Sequence, residues 1–224
     1  MKRGLALLAV LALTACTTQP DTPGPTPSPT PTVRPLTVAQ AVKAALAVSG
    51  LPKGWDGGVA VDPRPVTEKS KAQFEPADCQ VVAGNSMAGL GTPATAIRGQ
   101  YYVREPPQSI TELIYSWPTP QLSLVERIAD ALPRCTKVTT VSSVRTTAMH
   151  TIKQVRIPGL KDGIALRIET VDPDTPGYTF VSYEATVVRG GTVLLIVDDR
   201  GAATTEVAFA ELLTQAVARL EGVS

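Results

Sequence analysis

With 224 residues, 43% of them hydrophobic and 18% charged, the chain has the apolar content for one domain of ordinary size. A formal charge of +1 gives no clustered basic excess for phosphate backbones, and 4% aromatic residues leave little for base stacking. No nucleic-acid partner is expected.

Lys2 and Arg3 precede an apolar run over residues 5–13 that is too short for the ~30 Å of a hydrocarbon core. Residues 1–15 therefore read as a secretory signal rather than a membrane helix. The segment closes with Leu13-Thr14-Ala15-Cys16, which resembles the lipobox of bacterial lipoproteins. That resemblance implies a Cys16 thiol alkylated with diacylglycerol, removal of the preceding peptide, and an anchor at the extracytoplasmic face of the cell membrane. The competing reading is an ordinary signal peptide with a cysteine there by chance. Residues 16–35 are rich in proline and threonine, cannot bury apolar surface, and predict a polyproline-like tether reaching ~60 Å at ~3.1 Å per residue. Its threonines are candidate O-glycosylation sites. Residues 36–224 form the predicted folded domain.

If Cys16 is the anchor, Cys79 and Cys135 remain, and an exported chain with two such cysteines joins them in a disulfide. The alternative is a catalytic thiol served by His150, although no cysteine-hydrolase signature surrounds either residue.

In chain order, Thr37 caps a predicted helix whose apolar stripe is Val38, Ala41, Val42, Ala45 and Leu46, ended by Gly50 and Pro52. A Leu51-Pro52-Lys53-Gly54 turn then delivers Trp55. Short extended pieces follow over 59–61 and 64–66, then a polar stretch over 68–74 and a helix over 76–87 with Cys79 on its apolar side. Residues 95–103 and 109–117 predict a hairpin. Thr119-Pro120 opens a helix with Leu122, Val125, Ile128, Ala129 and Leu132 on one face, stopped by Pro133. Strands are predicted over 137–141, within 144–157, over 164–171, 178–188 and 192–197, the last two joined at Arg189-Gly190-Gly191. A closing helix over 204–220 places Val207, Ala210, Leu213, Val217 and Leu220 on one face. Turns too short for crossovers make the second half antiparallel, so the fold class is α+β: an antiparallel sheet with helices packed on one face and one disulfide.

This layout resembles the actinobacterial lipoproteins related to the extracellular sensor domain of certain mycobacterial serine/threonine kinases. The lipobox, the Thr/Pro tether, the Leu-Pro-Lys-Gly-Trp turn, Cys79 before a hairpin, Cys135 after a helix, the Arg189-Gly190-Gly191 turn and the Ala-rich last helix carry it. The resemblance implies a cleft for an envelope ligand and supplies no catalytic residues. Those sensor domains typically hold two disulfides, whereas this chain can form one.

Catalytic patterns are scarce. Gly84-Asn85-Ser86-Met87-Ala88-Gly89 misses the nucleophile-elbow spacing by one residue, and no serine has a lysine three positions on. His150 is the single histidine, and with Cys79 and Cys135 expected to be oxidised to a disulfide the usual zinc sets are excluded. Asp172 and Asp174 would suit a calcium loop only without the expected glycine and glutamate, and a Pro-Asp turn explains them. Asp198 and Asp199, adjacent at a strand end, point to opposite faces. Gly57-Gly58 and Gly190-Gly191 match no phosphate loop. Trp55, Arg98, Tyr101, Tyr102 and Trp117 are the candidate ligand-binding residues, with core packing the competing reading for the tryptophans. The reading is an exported, anchored ligand-binding or sensor-like module without catalysis, cofactor or metal. Its expected partners are the membrane and an envelope lipid, glycan or protein. An envelope hydrolase, or an accessory interaction lipoprotein, is the alternative.

Overall fold

Alternating apolar and polar residues in the second half of the chain produce strands that pair with their sequence neighbours. β5 (Lys137–Val141), β6 (Thr147–Val155), β7 (Gly163–Val171), β8 (Thr179–Arg189) and β9 (Thr192–Asp198) form a continuous antiparallel meander. β9 then pairs with β4 (Ser109–Ser116), which forms the expected hairpin with β3 (Ala96–Val103). Two three-residue strands close the edges, β1 (Val59–Val61) on β3 and β2 (Gln73–Glu75) on β5. The result is a nine-stranded antiparallel sheet in the order β1-β3-β4-β9-β8-β7-β6-β5-β2.

This computed structural model describes residues 33–51, 53, 55–56, 59–61 (backbone), 72–83, 90, 94–104, 108–141, 147–173, 175, 177, 179–201 and 204–223. They belong to one compact unit, Pro31–Ser224. The signal, Cys16, the tether to residue 32, the stretch over 64–66 and the Ser86 segment lie outside the described residues.

The fold is α+β as expected, and the helices divide between the two faces of the sheet instead of sharing one. α1 (Val38–Ala44) and α4 (Glu206–Glu221) cover the first face, over Tyr102, Ile110, Ile114, Ala185, Val187, Leu194 and Ile196. α2 (Gln80–Ala83) and α3 (Ser123–Ala131) cover the second, over Tyr115, Ile152, Ile164, Leu166, Val188 and Val193. The reason lies in β9: Val193 belongs to one core and Leu194 and Ile196 to the other, so a near-continuous apolar run requires cover on both sides.

α1 and α4 begin at capping threonines, α3 begins at Ser123 without a side-chain cap and not at Thr119-Pro120, and the helices turn different faces inward. Thr37 forms a capping box with Gln40. α1 buries Ala41 and Ala44 and leaves Val38 and Val42 exposed, because small residues allow it to lie close on β3. α3 buries Leu124, Ile128 and Ala131 with Leu122 outside. α4, capped by Thr205, buries Phe209, Leu212, Leu213, Ala216 and Leu220 with Val207 outside. The helix expected over 76–87 is, among the described residues, a 3-10 turn (Ala77–Cys79) running into α2. Cys79 and Cys135 are both fully buried and form the disulfide, with Cα atoms 5.4 Å apart. It clamps α2 to the end of α3 beside Trp117, which stacks on Tyr115.

Candidate functional site

At the end of the sheet where β9 finishes, the second face becomes polar. Register places Glu184 of β8 between Leu166 and Val197, with Thr111 and then Tyr101 continuing the row across β4 and β3. Asp199 extends the β9 ladder by donating its N–H to the carbonyl of Ser109 at 2.8 Å. It lies diagonal to Glu184, about 7–8 Å away between Cα atoms by sheet geometry. The hydroxyl residues Ser109 and Ser182 are buried beside them, while Glu184, Asp199, Thr111 and Tyr101 are half-buried.

Neither carboxyl has an ion pair among the described residues. Burial pushes Glu184 up to about 8, with the Asp199 charge adding to the effect. Burial, and then the neighbouring Asp198 charge, raises Asp199 to about 6. At neutral pH Glu184 is therefore mainly a protonated donor and Asp199 mainly an ionised acceptor. On the same face, His150 hydrogen-bonds the hydroxyls of Thr140 and Thr170 at 2.9 and 3.0 Å, and burial lowers its pKa. Two strands and four residues along the chain separate its row from Glu184, so the two do not meet.

Asp198 and Asp199 do point to opposite faces. On the first face Asp198 is fully buried and receives Arg200 through Nε at 2.7 Å and Nη2 at 2.5 Å, with the Thr204 hydroxyl at 3.2 Å. The Arg200 guanidinium lies 5.9 Å from the Trp55 ring centroid. This bidentate pair fixes the end of β9 and so holds Asp199 on the polar side.

The five sequence-selected residues do not form one site. Trp55 is buried against Arg200, while Arg98 and Tyr102 lie under α1 on the first face. Trp117 is in the second core, and Tyr101 alone joins the row of Glu184. Beneath α1, Tyr102 donates its hydroxyl to the Leu46 carbonyl, and the Leu46 N–H donates to Glu112 Oε2 at 2.8 Å. Glu112 Oε1 and Arg98 Nε are buried without a partner. Burial raises Glu112 to about 7 against the opposing Leu46 hydrogen bond, and burial beside Glu112 raises Tyr102. Sequence reasoning passed over Glu112 and Glu184. The available signal was a single carboxylate inside an otherwise apolar or hydroxyl-bearing strand.

Asp78 with Cys79 and Cys135 is the metal-type grouping among the described residues, and its sulfurs are spent in the disulfide. No helix among the described residues is long and apolar enough to cross a membrane.

No protein-family model and no curated protein matches the chain. Among solved structures, the extracellular domain of PknH from Mycobacterium tuberculosis matches 85% of this chain and 97% of its own, with a TM-score of 0.62 and 16% identity. The fold is similar to a kinase extracellular domain. An uncharacterised Mycobacterium smegmatis protein, the Rv0999 ortholog, matches 82% of this chain and 96% of its own, with a TM-score of 0.53 and 15% identity. The likeness to the mycobacterial kinase sensor domain that the layout suggested is thus supported at the level of the fold.

Proposed function

We propose that the protein is an exported, lipid-anchored, sensor-like binding module of the cell envelope that takes a polar ligand on the strip around Glu184 and Asp199. The carrying observation is the half-buried pair itself: two carboxyls on adjacent strands beside serine and threonine hydroxyls, with no cation paired to either among the described residues, an arrangement that favours a protonated donor at Glu184 and an ionised acceptor at Asp199. A donor and an acceptor side by side suit a hydroxyl-rich ligand such as an envelope glycan, which offers both partners at every position. Likeness to an extracellular domain supports the extracytoplasmic location, and the Leu13-Thr14-Ala15-Cys16 segment supports the anchor.

Native mass spectrometry of the protein exported in a related host tests the binding reading. A retained adduct of glycan or glycolipid mass is expected, and it is lost in the double variant Glu184→Gln, Asp199→Asn. A bare mass in the wild type, or an adduct indifferent to both substitutions, overturns it. Metabolic labelling with an alkynyl fatty acid tests the anchor, with the label expected on the wild type and absent from Cys16→Ser.

One observation favours the hydrolase reading: the two environments push the carboxyl pKa values apart, as an acid and a base require. Under that reading each single substitution abolishes turnover of an envelope glycan while leaving adduct formation in place.

A further inference from the structure

The chain enters the domain at the end of the sheet opposite Glu184 and Asp199. The Val33 N–H donates to the Pro118 carbonyl at 3.2 Å, and Val33 packs against Gly190 and Gly191 at the β8–β9 turn. From Gly190 to Asp199 the length of β9 is about 30 Å at ~3.3 Å per residue. A cavity of about 510 Å³ opens at this entry point, lined by Arg34, Leu36, Gln40, Arg189, Thr192 and Val223 among others.

Two chemistries meet there. Arg34, Arg156 and Lys161 are exposed, and Arg189 donates to the Lys161 carbonyl at 2.7 Å. Against these cations stand Asp162 and Glu221, the latter spent on Arg189 at 2.9 Å. Around them, apolar side chains point outward from the first turns of two helices: Val38 is 62% exposed and Leu122 is 45% exposed. A cationic pocket rimmed by exposed apolar residues matches the headgroup layer of a bilayer, where cations meet phosphate and apolar tips reach the acyl boundary.

We infer that this end of the domain docks on the membrane, with the phosphate of an anionic phospholipid held at the exposed Arg34, in the cavity that Arg189 also lines. The inference rests on the proposed N-terminal anchor. Cys16 lies 17 residues before Val33, so the proline-rich tether reaches at most about 50 Å at ~3.1 Å per residue. That tether holds the domain at an effective surface concentration in the mM range, where a weak headgroup contact suffices. Docking in this sense turns the Glu184–Asp199 strip away from the bilayer, toward the cell wall.

The test uses the mature chain from residue 16, coupled through its Cys16 thiol to a maleimide lipid, since the disulfide leaves no other cysteine to react. Failure of acylation in the cell therefore leaves the test intact. Hydrogen exchange is compared on phosphatidylcholine vesicles with and without phosphatidylglycerol. Amides over 33–37 and 156–161 are expected to exchange at least about fivefold more slowly with phosphatidylglycerol, the factor for one cation at an anionic surface. Arg34→Glu with Lys161→Glu, both at exposed positions, abolishes the difference. Equal exchange on both vesicles overturns the inference, as does slowing confined to the opposite end around 172–175. Equal slowing by inorganic phosphate without vesicles also overturns it, leaving a soluble-anion site.

Discussion

Glu112→Gln isolates the proton stored under α1. Folding raises the Glu112 pKa from 4.5 to about 7, so the folded state binds more protons than the unfolded state between those limits. Stability from this group is complete below pH 4.5 and is lost as pH rises through 7. Between pH 5 and pH 8 the loss is on the order of 2–3 kcal/mol. Glutamine reproduces the protonated carboxyl: its carbonyl still accepts the Leu46 N–H, and an amide donor stands where the acidic proton stood. The assay is urea unfolding followed by circular dichroism at pH 5, 6, 7 and 8 for both proteins. Near-equal stability at pH 5 is expected, with the variant ahead by about 2 kcal/mol at pH 8. Glu184 and Asp199 add slopes of the same sign that both proteins share, so the difference between the two curves is the quantity to read. Parallel curves over the whole range would show that Glu112 carries no shifted proton, and the reasoning fails.

Cys79→Ser with Cys135→Ser opens a loop with a sequence separation of 56, and in the chain-entropy model costs about 4 kcal/mol, read from denaturant midpoints against the oxidised protein. Asp198→Asn leaves the Arg200 guanidinium buried without its charge partner and is expected to destabilise by about 3–5 kcal/mol, whereas a loss under 1 kcal/mol would mean Arg200 escapes to water. Gly191→Ala would put a Cβ 2.1 Å from the Trp117 carbonyl oxygen and 2.5 Å from Val33 Cγ2, so thermal unfolding should show a cost of about 1–3 kcal/mol or more. Gly190→Ala meets only Val33 at 3.5 Å with φ at +58°, and about 1 kcal/mol is expected.

Much of this architecture is legible residue by residue. The alternation Ile164, Leu166, Ile168 marks β7 and its buried side, Gly190-Gly191 marks the hairpin, and Thr37 with Gln40 marks the start of α1. Helix faces were harder to read, because Val38, Val42 and Val207 compete with neighbouring alanines and leucines for the same stripe. Close approach to the sheet favours Ala41 and Ala44, and hydrophobicity alone ranks valine above them. Two-sided cover was missed for a related reason, since a strand with apolar residues on both sides reads as one strongly hydrophobic strand. The candidate site is the least legible part. Aromatic residues drew attention to Trp55, Tyr102 and Trp117, which are core, while Glu184 acquires its character from burial between its neighbouring strands, with Asp199 across the ladder adding to it. Pairing across strands depends on register, which short-range patterns do not encode.

The three-residue outer strands bear on life at a crowded surface. Molecules anchored by one terminus share an orientation and meet side by side, the geometry in which one sheet edge extends another. β1 and β2 offer only three residues each for such growth, too few to hold two sheets together. A population held at high surface density, as we propose for this protein, would therefore find in these two strands little open edge for such growth.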